Sequence, residues 1–298
     1  MKRLLLSATA LFAILNASAE EQTVVLTTSQ PEGQTITLLV NATRAGVTVD
    51  WGDGTPQAYT STTNGGVLEI SGTLKGANVT VKAAKGWKML AATDAGLTAV
   101  DLSKATELRS LYLQNNALTS VNVANMPELR DLNLANNQLT AVTLNSSKNP
   151  LIETLDLSNN PIAATSFIYG QANLRYLNLS GMDYTSLTLT KDVNLDALLV
   201  ANNALKTLTL TATKDISLID VRGSNLEKMT MPTDGLPQLQ QLLADDNYLE
   251  DLDISASTDI NTLTVTRNEI NKMTHPSNSN LQLHNYNENA LTFPNHPH

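Results

Sequence analysis

A motif of apolar residues recurs along most of the chain at nearly constant spacing, and this periodicity restricts the fold more than any other feature. The segment 111–118 (LYLQNNAL) recurs at 132–139 (LNLANNQL) and at 155–162 (LDLSNNPI). With the first residue of each motif taken as an anchor, the series contains ten members: Leu90, Leu111, Leu132, Leu155, Leu177, Leu198, Ile219, Leu242, Leu263 and His284. Six of the nine intervals are 21 residues and the others are 22 or 23, so the register persists over ten turns.

Two further positions repeat with the anchors. The residue seven places after each anchor is apolar in all ten turns, and so is the residue three places before, beginning with Trp87. Asparagine stands five places after the anchor in seven turns, at Asn116, Asn137, Asn160, Asn203, Asn247, Asn268 and Asn289. Ala95, Met182 and Ser224 occupy this position in the other three turns. The unit L-x-x-L-x-L-x-x-N-x-L resembles the leucine-rich-repeat family over about residues 87 to 291.

This unit predicts a mainly β solenoid. The L-x-L segment is a short strand with alternate side chains inward, and stacked turns bury a continuous core beneath a parallel sheet. Threonine and valine alternate in the second half of each repeat, as in 205–210 (LKTLTL), which favours short extended segments over helices on the convex side. All-strand repeats of this length resemble those of bacterial internalin-type surface proteins. Stacked asparagine amides can satisfy backbone groups where the chain turns inward, so Met182 and Ser224 mark predicted weak points.

The ends of the array require caps, because an open end exposes the core. We expect Trp87 to close the first turn. At the other end His275 and His284 replace aliphatic residues, which indicates a fraying terminal cap, with a ligand role as the alternative.

Residues 20–85 lack the repeat and contain short alternating runs separated by glycine-rich turns, which predicts a small β-sandwich-like domain. Within it, 47–54 (VTVDWGDG) resembles the W-x-x-G-D-G turn of PKD-type domains on bacterial exoproteins, although Trp51 here directly precedes Gly52. Asp53-Gly54 favours a tight turn. Asp50 and Asp53 either stabilise that turn or hold Ca²⁺.

The two ends of the chain carry different signals. A basic start, an apolar stretch and Ala17-Ser-Ala19 predict a secretory signal peptide over residues 1–19, followed by the β domain at 20–85, the repeats at 86–291 and a tail at 292–298. The apolar stretch is too short to span a bilayer. The sequence therefore predicts a secreted or cell-surface protein without a membrane span. No cysteine is present, so the fold rests on core burial without disulfides.

Composition and motifs argue against several functions. The formal charge is −9 with no basic stripe, which disfavours nucleic acid as a partner. No catalytic motif, cofactor motif or metal-ligand spacing is present, so we expect neither an enzyme nor a cofactor nor a bound metal. The carboxylates from Asp245 to Asp253 form either a solvated face or a cation site.

What remains is a recognition surface on the predicted concave sheet. The candidate binding residues are Tyr112, Arg130, Asn133, Asp156, Arg175, Tyr176, Asn178, Asp220 and Arg222. Tyrosine and arginine are the residues that most often anchor interfaces. These residues predict a protein ligand. A glycan ligand and a structural spacer without a ligand are the two alternatives.

Overall fold

The computed structural model describes residues 21–41, 46–60, 66–83, 86–189, 194–211, 213, 215–276 and 281–291. The predicted signal peptide and tail lie outside these residues. In chain order the strands are β1 (Gln22–Thr28), β2 (Thr35–Asn41), β3 (Val47–Asp50), β4 (Gln57–Tyr59), β5 (Val67–Thr73), β6 (Asn78–Ala83), β7 (Met89–Ala91), β8 (Leu97–Asp101), β9 (Ser110–Tyr112), β10 (Asp131–Asn133), β11 (Thr154–Asp156), β12 (Tyr176–Asn178), β13 (Ser186–Thr188), β14 (Ala197–Leu199), β15 (Thr207–Thr209), β16 (Leu218–Asp220), β17 (Lys228–Thr230), β18 (Gln241–Leu243), β19 (Asp251–Asp253), β20 (Thr262–Thr264), β21 (Lys272–Thr274) and β22 (Leu283–Asn285).

Ten short parallel strands form the concave sheet, one for each turn. They follow the order β7-β9-β10-β11-β12-β14-β16-β18-β20-β22, and every neighbouring pair aligns anchor with anchor, from Leu90 to His284. The nine aliphatic anchors are fully buried. The predicted mainly β leucine-rich-repeat solenoid is therefore confirmed, with its parallel sheet in the predicted register.

The convex side consists of extended segments, as the alternating threonines and valines predict. Parallel strands β13, β15 and β17 form one small sheet, and β19 and β21 form another. In the described part of the chain the single helical element is a 3₁₀ turn at Ser166–Ile168, and no helix there is long enough or apolar enough to cross a membrane.

The seven ladder asparagines make one repeated set of hydrogen bonds. Asn160 is typical: its Nδ2 donates to the carbonyls of Leu157 (2.9 Å) and Ser158 (3.2 Å) in its own turn and to Leu134 (2.9 Å) in the preceding turn. Its Oδ1 accepts the amide N–H of Leu139 at 3.0 Å. Each amide thus satisfies buried backbone groups in two successive turns, which is how a polar side chain can occupy the core.

The three turns that lack asparagine share a second feature, an additional residue with a left-handed backbone. All ten turns place the residue four positions after the anchor in the left-handed region, but these three add another left-handed residue directly after the ladder position, namely Gly96 (φ 61°), Asp183 (φ 59°) and Asn225 (φ 57°). The backbone N–H of Ala95, Met182 and Ser224 then donates to the asparagine Oδ1 of the following turn at 3.1 to 3.2 Å. Each departure is therefore followed by an asparagine turn that satisfies its amide.

The first six strands cover the N-terminal end of the array and pair with two strands of its first repeat. β4, β3, β6 and β1 form an antiparallel sheet that continues into β8 of the first repeat. β5 and β2 extend the concave sheet through the antiparallel pairing of β2 with β7. Trp87 is fully buried beneath this junction, and its indole Nε1 donates to the carbonyl of Met89 at 2.8 Å. The edge of the first repeat is therefore paired rather than exposed.

Trp51 closes the core between these two sheets. Its ring is 2 % exposed, and its Nε1 donates to the hydroxyl of Tyr59 at 3.2 Å. The ring lies directly over Gly72 of β5, where a Cβ atom would stand 1.9 Å from Cε2 of Trp51. Glycine at this position is therefore a packing requirement.

The last described turn has a looser core. His284 occupies the anchor position but is exposed, and its ring stacks on Tyr286 with centroids 5.3 Å apart. His275 Nδ1 lies 3.1 Å from the carbonyl oxygen of Pro276. Among the described residues no cluster of three or more side chains could hold a metal ion, at either histidine or elsewhere.

Candidate functional site

The concave sheet presents two rows of side chains to solvent, because residues on either side of each buried anchor point away from the core. One row contains Ser110, Asp131, Thr154, Tyr176, Ala197, Leu218, Gln241 and Thr262, and the other contains Tyr112, Asn133, Asp156, Asn178, Leu199, Asp220, Leu243 and Thr264. Eight of the nine predicted binding residues lie in these rows or just before a strand, and Arg222 lies two places after β16.

Four of the predicted residues hold the backbone at the ends of their strands. In each case one side-chain oxygen accepts the backbone N–H two positions later: Asn133 from Ala135 (3.0 Å), Asp156 from Ser158 (3.0 Å), Asn178 from Ser180 (3.1 Å) and Asp220 from Arg222 (3.2 Å). These bonds turn the chain out of each strand. The sequence analysis did not separate this local role from ligand binding.

The predicted arginines differ in the bonds that each guanidinium group already makes within the chain. Arg130 is ion-paired with Glu153 of the next turn. Arg175 donates from Nη1 to the carbonyl of Asn194 at 2.8 Å. Arg222 donates two hydrogen bonds to Asp220, from Nε to Oδ1 at 2.9 Å and from Nη2 to Oδ2 at 2.6 Å. Hydrogen bonding to Asp220 raises the pKa of the Arg222 guanidinium.

The two predicted tyrosines do not form one patch. Tyr112 lies on β9 and Tyr176 on β12, three strands apart, which at strand spacing is about 14 Å. Burial, and then the nearby Asp156, raises the pKa of Tyr176. The two side chains would therefore contact different parts of a ligand.

A group of apolar side chains on this face lies beside Tyr176. Ala197 and Leu218 continue the row of Tyr176 on β14 and β16, while Leu199 and Leu243 lie in the other row on β14 and β18. We call these five residues the central apolar patch. All five are partly exposed on adjoining strands although they face away from the core. Leucine at outward positions on neighbouring repeats was the signal in the sequence. The predicted binding residues were polar, aromatic or charged and did not include these leucines.

A charged cluster borders this patch on the side where the strands end. Asp220 is 7 % exposed and lies between Leu199 and Leu243 in the same row. Asp245 accepts hydrogen bonds from the Thr264 hydroxyl (2.7 Å) and from the backbone and hydroxyl of Thr266 (2.8 and 2.7 Å). The field of Asp245 adds to that of Asp220 in raising the pKa of Arg222. The polar border is therefore held rigidly by internal bonds.

The carboxylates between Asp245 and Asp253 are not brought together. Asp246 pairs with Arg267 of the next turn, and this bond lowers the pKa of the carboxyl. Asp251 and Asp253 lie on β19 of the convex side, so the group is divided between two faces. The described residues contain no grouping that could hold a metal ion.

The Asp50 and Asp53 turn is occupied by internal bonds. Asp50 Oδ1 accepts the backbone N–H groups of Gly52, Asp53 and Gly54 at 2.9 to 3.2 Å. Asp53 pairs with Lys75 at 2.5 Å, and this bond, followed by those from Thr55, lowers the pKa of Asp53 from 3.8 to about 2. The contacts favour the turn-stabilising role over the cation role.

We expect Lys75→Met to raise the pKa of Asp53 from about 2 toward 3.8, because the largest cause of the depression is removed while Thr55 remains. A depressed carboxyl pKa contributes stability above its unfolded value, and that contribution disappears as the pH falls through the folded value. The side-chain ¹³C shift of Asp53, followed by NMR from pH 6 to about pH 2, measures this directly. An unchanged midpoint would show that Lys75 does not hold Asp53.

Ten strands in register, with an asparagine amide joining most turns, define a leucine-rich-repeat solenoid. Residues 106–146 match the family model for leucine-rich repeats, described as two copies. No curated protein sequence matches the chain.

Several solved structures are similar to this chain. YopM from Yersinia enterocolitica WA-314 is 19 % identical, with a TM-score of 0.49 over 62 % of this chain and 48 % of that one. The functional domain of InlJ from Listeria monocytogenes, which includes a cysteine ladder, is 16 % identical, with a TM-score of 0.41 over 72 % of this chain and 57 % of that one. An internalin, InlF, from Listeria monocytogenes str. 4b F2365 is 14 % identical, with a TM-score of 0.28 over 66 % and 86 %. The chain thus spans about half the length of the first two proteins.

Proposed function

We propose that this protein is an exported or cell-surface binding module that recognises a protein partner through its concave sheet. The observation that carries the proposal is the central apolar patch with its rigid charged border. The partly exposed leucines on adjacent strands face away from the core, and apolar area enclosed by ordered polar groups is what a protein interface buries. The solenoid gives such a partner a long, preformed surface.

The chemistry of the described residues supports binding rather than catalysis. The groups with shifted pKa values are ion-paired, hydrogen-bonded to a serine or threonine two positions later, or tyrosines raised by burial. The carboxylates among them have lowered pKa values, which makes them weak bases for activating a nucleophile. The basic and apolar start of the chain supports export, with cleavage after Ala19 and a small β domain at residues 20–85 whose strands join the first repeat. The VTVDWGDG segment supports a PKD-like origin for that domain.

A glycan ligand is the second candidate. It is supported by the aromatic rings Tyr112 and Tyr176, because sugars stack on flat rings, but the two lie three strands apart. The leucines of the central apolar patch provide no flat platform between them. The contacts therefore favour protein over glycan, and both over a spacer without a ligand.

The test is a binding screen with matched variants. Residues 20–298 are presented to a panel of purified extracellular proteins and to a glycan array. An N-half variant carries Tyr112→Ala, Arg130→Ala and Asn133→Ala. A patch variant carries Leu199→Thr, Leu218→Thr and Leu243→Thr. A convex control carries Lys206→Ala, Glu227→Ala and Lys228→Ala, three exposed residues on the opposite side of the array.

We expect a protein hit whose affinity falls at least about tenfold in one of the two concave variants, which is a loss of about 1.4 kcal/mol, and is unchanged in the convex control. A hit lost only in the convex control would contradict the concave assignment. A glycan hit without a protein hit would replace the protein partner with the second candidate. No hit of either kind would favour the spacer.

A further inference from the structure

We infer that the central apolar patch is the recognition centre, and that it takes a protein segment presenting apolar side chains between lysine or arginine residues. This rests on the proposed function and names the chemistry of the partner. It places the centre on strands β12 to β18.

The first argument is the change of composition along the outward rows. On β11 and β20 the outward positions hold Thr154, Asp156, Thr262 and Thr264, which are small and polar. Between them, on β14, β16 and β18, leucine takes three of the six outward positions. Threonine serves a strand equally well at these positions. The sheet therefore does not require leucine at these positions. A ligand that buries the three leucines explains why they are there.

The second argument is the charge around the patch. Asp196 lies just before β14 on one side, is exposed, and has no basic partner among the described residues. On the other side Asp220 and Asp245 lie on or directly after the strands, with Arg222 between them. With Asp156 and Arg175 included, four carboxylates surround the patch against two guanidinium groups. An acidic border on both sides of an apolar area complements a segment with cations on both sides of an apolar centre.

The third argument is that the border is already in place. The Arg222–Asp220 pair is bidentate, and Asp245 is fixed by three hydrogen bonds. A ligand cation would therefore meet carboxylates whose positions are set before binding. This lowers the ordering cost that a partner otherwise meets on binding.

The experiment uses three fluorescein-labelled peptides and fluorescence anisotropy. The first has a Leu-Tyr-Leu centre with two lysines on each side. The second has glutamates in place of the lysines, and the third has serines in place of the Leu-Tyr-Leu centre. Each is titrated with the wild-type chain, the patch variant, the N-half variant and Asp196→Asn. Threonine occupies the position equivalent to Leu218 on β11 and β20 and the position equivalent to Leu199 and Leu243 on β20, so the patch variant is designed to fold, and circular dichroism verifies it.

We expect the lysine peptide to bind at least about tenfold more tightly than either of the other two. Its affinity should fall at least about tenfold in the patch variant, about threefold in Asp196→Asn, and not at all in the N-half variant. Equal binding of the glutamate peptide overturns the charge assignment. Unchanged binding in the patch variant, or no binding of the lysine peptide, overturns the inference. A protein partner from the screen that is lost only in the N-half variant would also overturn it while leaving the proposed function intact.

Discussion

Asn160→Ala should reduce the free energy of unfolding by about 3 kcal/mol, because a buried polar group that loses its partner costs about 1–3 kcal/mol. Asn160 is 2 % exposed, and its amide bonds to three carbonyls and one N–H in two successive turns. Alanine removes these bonds in the middle of the array, where water cannot replace them without opening the stack. Urea denaturation followed by circular dichroism measures the loss.

The matched control is the neighbouring residue. Asn159 is exposed and has a left-handed backbone (φ 54°), and its side chain donates to Asn136 at 2.8 Å on the surface. Asn159→Gly keeps the backbone conformation available and removes only a solvated bond, so we expect a change within about 1 kcal/mol. Equal losses in the two variants would show that the buried ladder contributes no more than the exposed one.

Gly72→Ala should destabilise the N-terminal strands by about 3 kcal/mol, the upper end of the usual cost of overpacking. The added Cβ would stand 1.9 to 2.4 Å from three ring atoms of Trp51, which is itself buried. The ring cannot move outward without breaking its bond to Tyr59. Ser71→Ala, on the exposed side of the same strand, serves as the control, and thermal and urea unfolding give the comparison.

A double-mutant cycle tests the physical reason. In a Trp51→Leu background the space beside Gly72 is larger, so the same Gly72→Ala change should cost less than about 1 kcal/mol, and the coupling between the two sites should be correspondingly large. If Gly72→Ala costs as much in both backgrounds, the clash is with another group, and the packing account of Trp51 is wrong.

Most of the fold could be predicted from the sequence because the repeat fixes it many times over. Each anchor, from Leu90 to Leu263, independently predicts a buried position in a parallel strand. The continuity of the first strands with the array was not predictable in the same way. It depends on the pairing of β2 with β7 and of β1 with β8, which are contacts between distant residues that a local pattern does not specify.

The ladder departures show that the ladder position does not describe a turn by itself. Met182 and Ser224 lack the amide, so the sequence predicted weak points there. The residue directly after the ladder position carries the signal for the different backbone. It is glycine, aspartate or asparagine, and these residues adopt the left-handed conformation more readily than others. Ser224 also keeps part of the asparagine role, since its Oγ lies 3.0 Å from the carbonyl oxygen of Val200. Met182 has no such group, and two residues later the hydroxyl of Tyr184 is buried without a partner.

The candidate site was predicted only in part. The outward positions followed from strand alternation, so the predicted residues lie on the concave face or at its margin. Which of them a ligand meets could not follow from residue type alone. Asn133, Asp156, Asn178 and Asp220 also hold the backbone at the end of each strand. The central apolar patch emerges only when four repeats are placed side by side.

The alternation between two kinds of turn also bears on how such an array can change length. A turn that ends in asparagine offers the next turn the same carbonyls and N–H that it receives, so copies of it can be duplicated or deleted without altering the joint. A turn built on Met182 or Ser224 relies on the asparagine that follows it, at Asn203 or Asn247. The asparagine turn that follows can therefore be lost only together with it. Along this solenoid the segment that can be duplicated or deleted is one repeat in some places and two in others.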